Sequence, residues 1–383
     1  MVSTTAVLGS QFTEQFKKFI EGETNAAMKR LREEAFARFA ESGFPTPKQE
    51  DWKYTDVRPI VKTSREVFPD QIFPEQFTAE NLDLVRAFNV ERNGFTALNR
   101  AFAQYLVIVI PKGSHLTNPI NLDLGARARK MFCPGILIVA ESGSKATVVE
   151  AYKSESGGLV NSAVQIFVEE NANLTHYRVQ KDATDSFNVG TTEVTLGAGS
   201  RYDSTNINLG GAISRHDIEL KFIAEGGEAF VDGLYMLNGS QHSDTHSAID
   251  HLVPNCTSHQ TYKGVLNDKS RGVFNGKVFV RANAHGTDAR QSNKNLLLSN
   301  DARVDTKPQL EIDNDDVKCS HGATVGQLEE EELFYLLTRG LPDMLARNLL
   351  TYGFAEEIIN KIGVNSIKAE LDETVLNRLN ARI

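Results

Sequence analysis

The sequence predicts a mainly β protein: a solenoid of stacked coils with a helical unit at each end. Three observations predict it. Short runs rich in Val, Ile, Tyr and Phe begin at Tyr105 and follow one another to Ile223. Segments with turn residues align so that Ser144, Asn173, Ser200, Gly227 and Cys256 fall in one column, at intervals of 29, 27, 27 and 29 residues. Such a period marks repeats that bury one another's apolar faces. Helical apolar spacing brackets this region on both sides. Two strand-like runs per repeat fit either a parallel β-helix or an antiparallel meander, so the spacing leaves strand direction open.

Residues 11–41 carry Phe12, Phe16, Phe19 and Ile20, then Met28, Leu31, Ala35, Phe36 and Phe39, three or four apart with charged residues between them. This is an amphipathic helical pattern, stopped by Gly43, Pro45 and Pro47. The block around Trp52 and Tyr54 is irregular, and residues 65–104 mix short helical patterns with Phe and Pro. Residues 1–100 are therefore read as an N-terminal helical domain, with Trp52 as the anchor that packs it onto the rest. The β-rich core spans 101–325, with runs at 105–110, 135–140, 164–168, 175–179, 192–196 and 218–223. Residues 326–383 form a C-terminal helical domain. Its first helix, Glu329 to Arg339, places acids in the first turn, where they favour the helix dipole, and Gly340 ends it. Pro342 suits the start of a second helix with Leu345, Leu349 and Leu350 as its stripe. Gly353 is expected to interrupt it, with two more segments at 355–362 and 366–383.

Composition narrows the function. Over 383 residues, 40% hydrophobic and 24% charged content is ordinary for a globular protein. A net charge of −9 argues against a nucleic-acid surface. Eight carboxylates between Glu311 and Leu333, against Lys318 alone, suit either a solvated face or a basic partner. No stretch offers the about eighteen apolar residues of a membrane span, and Met1–Ser10 lacks signal-peptide character, so a cytoplasmic location is expected. Three widely spaced cysteines, Cys133, Cys256 and Cys319, suit free thiols.

The chemistry concentrates at Asp316-Val-Lys-Cys-Ser-His-Gly322. In an extended strand Cys319 and His321 project to one face, about 6.6 Å apart. A thiol beside an imidazole suits iron or zinc, yet two ligands leave a tetrahedral site half built; the plainer alternative is a packed Cys beside a locally bonded His. The run His242, Asp244, His246 shares one strand face, with His251 and His259 on the other parity, and reads as metal ligands or as hydrogen-bonded surface histidines. Hydrolase and phosphate-loop motifs do not occur in the sequence, so no ATP hydrolysis is expected of this chain. A cluster needs about four donors, and the nearest two cysteines, Cys256 and Cys319, stand 63 positions apart.

Four stretches, Asp288 to Ser299, Asp305 to Ile312, Asp316 to Gln327 (DVKCSHGATVGQ) and Leu333 to Gly340, together resemble the C-terminal core of the SufD family, subunits of the SUF iron–sulfur cluster assembly scaffold. Pro45 to Thr55, Gln241 to Asp244, Tyr262 to Gly264 and Val273 to Gly276 are similar to its earlier signatures. The resemblance implies a right-handed parallel β-helix core and a non-catalytic scaffold. It implies pairing with SufB through the β-helix, and a C-terminal unit that docks the SufC ATPase through Leu333, Phe334, Tyr335, Arg339, Gly340 and Pro342. It places His321, with Cys319 beside it, at a SufB–SufD interface where a transient iron–sulfur cluster or iron is held in shares, with none bound tightly by the isolated chain. A β-helix carbohydrate-active enzyme and a homodimer pairing its own solenoid edge are the rival readings.

Overall fold

A computed structural model of the chain describes residues 4–63, 65–67 and 79–379. Helices α1 (Thr4–Glu21) and α2 (Ala26–Ser42) open it, followed by a 3-10 turn (Glu50–Trp52), α3 (Arg58–Lys62), the short strand β1 (Glu66–Val67), α4 (Ala79–Arg86) and α5 (Gly94–Phe102). The helix expected over 11–41 is thus two helices. Asn25 breaks the run because its side chain caps α2, accepting from the backbone N–H groups of Ala27 and Met28. Residues 68–78, within the stretch read as mixed short helices, and residue 64 just before it lie outside the described residues.

The strands that follow are β2 (Gln104–Ile110), β3 (Ile120–Asp123), β4 (Lys130–Phe132), β5 (Pro134–Ala140), β6 (Lys145–Tyr152), β7 (Leu159–Val168), β8 (Asn173–Gln180), β9 (Phe187–Leu196) and β10 (Arg201–Asn208). Then come β11 (Ile213–Phe222), β12 (Glu228–Leu237), β13 (His242–His251), β14 (Thr257–Leu266), β15 (Arg271–Val280), β16 (Thr287–Leu297), β17 (Arg303–Ile312) and β18 (Val317–Gly326). From β6 onward they alternate between two sheets, one ending β11-β13-β15-β17 and the other running β6-β8-β10-β12-β14-β16-β18. Pairing is parallel between successive coils. The core is a parallel β-helix.

Corner chemistry explains the repeat and corrects its register. Gly143, Asn171, Gly199, Gly226, Asn255 and Gly286 all have φ between +56° and +75°, a region that favours Gly and Asn. The residues after them stack, so Ala172 joins Ser144 and Ser200 in the column, as Lys145 pairing with Asn173 and Asn173 with Arg201 requires. Asn173 belongs one position further on. The sequence alignment had matched side chains, whereas the coils are matched by the left-handed corner.

The solenoid interior is apolar where Ile138, Ile166, Val194 and Leu220 stack, but one column is polar. Glu150, Arg178, Asn206, Gly233, Tyr262 and Asn293 follow one another in register. Glycines make room for rings there: a Cβ on Gly233 would stand 2.1 Å from the Tyr262 ring, and one on Gly264 would stand 2.2 Å from the Tyr235 ring.

Helices cover both outer faces. The N-terminal helices bury Phe12, Phe39, Trp52, Phe95 and Phe102 with Leu159, Phe187 and Ile213 of the first sheet. After β18 come α6 (Glu330–Thr338), α7 (Asp343–Ile359) and α8 (Asn365–Arg378). Helix α7 runs straight through Gly353, because burying Ala355, Ile358 and Ile359 against Tyr177, Leu234 and Val265 outweighs the about 1 kcal/mol that an interior Gly costs. Three helices stand where four segments were expected. They lie on the middle coils, and among the described residues no coil follows the last one, β17 and β18.

Candidate functional site at the terminal coil

Among the described residues strand β18 pairs with β16 alone, so one of its edges is open. In-register pairing sets Cys319 beside Ala289 and His321 beside Gln291, both buried and inward-facing. Cys319 and His321 therefore stand on the inner row of the open coil. Cys319 is half-buried and packs on the end of the core with Leu310 and Val317, while His321 is exposed. Burial raises the Cys319 pKa against a smaller opposing effect of the Ala289 backbone N–H. The thiol is thus protonated at neutral pH until a metal ion or another cation ionises it. Cys133 and Cys256 are buried, and burial raises both their pKa values. Alkylation of the native chain is expected to modify Cys319 first and the other two only on unfolding, as peptide mass mapping would read.

The run His242, Asp244, His246 does share one face, but its donors are engaged. Thr55 Oγ1 donates to Asp244 Oδ2 at 2.5 Å and contacts His242 Nε2 at 2.7 Å. Arg215, fully buried, donates to Asp244 Oδ2 at 2.6 Å, pairs with Asp217 at 2.9 Å and lies 3.8 Å from the Trp52 ring centroid. His246 Nε2 stands 3.1 Å from Asp244 Oδ1. This is a latch that holds the Trp52 segment to β11 and β13, the anchoring read for Trp52 in the sequence. His251 faces inward, stacked 4.6 Å from Phe222, and His259 lies 3.5 Å from Asp288 on the other sheet. Among the described residues no group of three or more His, Cys, Asp or Glu side chains could hold a metal ion. Arg215 and Asp217 escaped sequence reading; their signal is that Arg215 precedes Asp244 by one coil, which needs the register.

Helix α6 carries a second surface. Phe334 is 68% exposed, Tyr335 57% and, across the turn, Met344 67%. Leu333 points the other way and is buried. Arg339 lies 5.1 Å from the Tyr335 ring centroid, Gly340 turns the chain at φ +88°, and Pro342 precedes α7. No helix among the described residues is long and apolar enough to cross a membrane.

The fold and the site define a β-solenoid protein whose stack ends in an open strand that carries a thiol and an imidazole. The family comparison places it further. The SufBD core domain of SUF-system FeS cluster assembly matches residues 124–354, and the SufBD N-terminal region matches residues 8–68. The chain belongs to the SufBD family of iron–sulfur cluster assembly scaffold proteins. It is 30% identical to the iron–sulfur cluster assembly protein SufD of Escherichia coli, over 89% of this chain and 90% of that one. A SufBD family protein of Synechocystis is 38% identical over 73% of this chain, which spans 65% of that relative's length. One of Mycobacterium tuberculosis is 29% identical, over 76% and 74% of the two chains.

Proposed function

We propose that this chain is the SufD-type subunit of a SUF scaffold, pairing through its last coil with SufB and through its C-terminal helices with the SufC ATPase. The observation that carries the reading is the pair Cys319 and His321 on the inner row of an open coil. The nascent cluster is cargo that takes at most two donors from this side, and the partner supplies the rest. Shared ligation suits a protein that must release what it builds. The exposed Phe334, Tyr335 and Met344 are an apolar surface of the kind that marks protein contacts.

The mounting of the C-terminal helices supports a mechanical role. Lys263 bonds the Phe354 carbonyl at 3.0 Å and also pairs with Glu357, Lys361 pairs with Asp232 at 2.8 Å, and Arg378 donates to the Met236 carbonyl at 2.8 Å. Movement of SufC on ATP binding would therefore be passed to the solenoid as a whole, shifting its last coil against SufB and opening the Cys319 and His321 region. In a reconstituted SufB–SufC–SufD complex, His321→Ala should slow cluster assembly several-fold while the three chains still co-purify. Assembly at the wild-type rate would refute the role of His321.

A further inference from the structure

One inner column of the solenoid is an amide ladder that ends at His321. Gln260, Gln291 and His321 are consecutive partners in register on β14, β16 and β18. Gln260 Oε1 accepts from Ser247 Oγ at 3.1 Å and from Gln291 Nε2 at 2.6 Å. Gln260 thus accepts both bonds on its carbonyl oxygen, and Gln291 spends its Nε2 on one of them. Gln291 Oε1 is left as the free end, buried and without a partner among the described residues. Gly276 makes the arrangement fit, since a Cβ there would stand 2.2 Å from Gln291 Nε2.

A stacked amide ladder is extended by the next rung donating to the last free carbonyl. The next rung is His321, about 4.8 Å up the sheet. His321 is exposed, and its place in register puts it on the same inner row as Gln291. Resting on the cluster-site reading above, we infer that Gln291 is the positioning residue of His321: its Oε1 accepts the imidazole Nδ1–H. That bond fixes the neutral tautomer whose Nε2 lone pair is directed to the open edge, where a soft or borderline metal ion would be met. Ligating histidines commonly give their second N–H to a carbonyl or carboxylate, and losing that partner typically weakens the site about 10- to 100-fold. Without Gln291 the ring would be free to adopt the Nε2–H form, which offers no lone pair at that nitrogen.

The test is made on the full chain labelled with ¹⁵N-histidine, at a pH of about 8, above the ordinary imidazole range, with the His321 signals assigned by their loss in His321→Gln. The wild type should show the Nδ1–H tautomer. Gln291→Leu should shift it to Nε2–H, and Gln291→Glu, whose carboxylate still accepts, should restore Nδ1–H. Identical His321 ring signals in the wild type and Gln291→Leu, with the unfolding transition retained, overturn the inference. A second arm reads the site: in the SufB–SufC–SufD complex, Gln291→Leu should slow cluster assembly several-fold and add nothing in the His321→Ala background. A tautomer shift with unchanged assembly would support the Gln291 contact and overturn the cluster-site reading instead.

Discussion

Arg215→Met should lower the stability of the chain by about 3–5 kcal/mol, the usual result of removing one partner from a buried charge group. The guanidinium lies between the buried carboxylates of Asp217 and Asp244, donates to the Asp51 carbonyl at 2.7 Å and stacks on Trp52. Methionine fills much of the volume and supplies none of the charge. Burial alone would raise the Asp244 pKa, but the charges of Arg215 and then His246 outweigh it and hold the value well below the ordinary carboxylate range. Asp217 is held down in the same way, Arg215 opposing burial. In the wild type these carboxylates thus contribute stability that is present above a pH of about 4 and lost as the pH falls through their depressed folded values. In the variant burial dominates, the folded pKa values rise, and stability should instead fall as the pH rises above about 4. Trp52 is the single tryptophan and sits in the latch, so urea unfolding followed by its fluorescence reads the effect. The gap between the two proteins should widen from a pH of about 4 to about 8, and an equal midpoint at both would refute the latch.

Gly233→Ala should cost about 1–3 kcal/mol, the range of an overpacked core. The added methyl would stand 2.1, 2.4 and 2.8 Å from three atoms of the Tyr262 ring. That ring cannot step aside. Its hydroxyl accepts from Asn206 Nδ2 at 3.2 Å, and its face lies 5.0 Å from Phe274. On an exposed strand the same change would be stabilising, because Ala loses less backbone entropy than Gly. A double-mutant cycle separates the two effects: with Tyr262→Ala in place, Gly233→Ala should cost nothing. A full cost in that background would mean the glycine serves the backbone and not the ring.

How much of this was legible follows the chemistry of the inner rows. Runs such as 135–140 and 164–168 read as strands because their inner rows, Ile136, Ile138, Val164 and Ile166, are apolar. Strand β14 did not, because its inner row is Ser258, Gln260, Tyr262 and Gly264, flanked by His259 and Lys263. A polar interior erases the contrast on which alternation depends. The glycines and tyrosine of the quoted signatures have reasons only the packing shows: Tyr262 over Gly233, Tyr235 over Gly264, Gln291 across Gly276. Lys263, between the first two, reaches outward to α7.

By itself the sequence determined the solenoid period, the helical flanks, the pairing of Cys319 with His321 on one strand face and the family, because each is written in local spacing or in contiguous wording. Only the tertiary structure decided that Thr55 meets Asp244 from 189 positions away, that Arg215 completes that latch, and that Gln291 stands beneath His321. Those contacts run between coils and depend on a register set by the left-handed corners. A shift of a single residue in a strand would turn every one of these side chains to the opposite face.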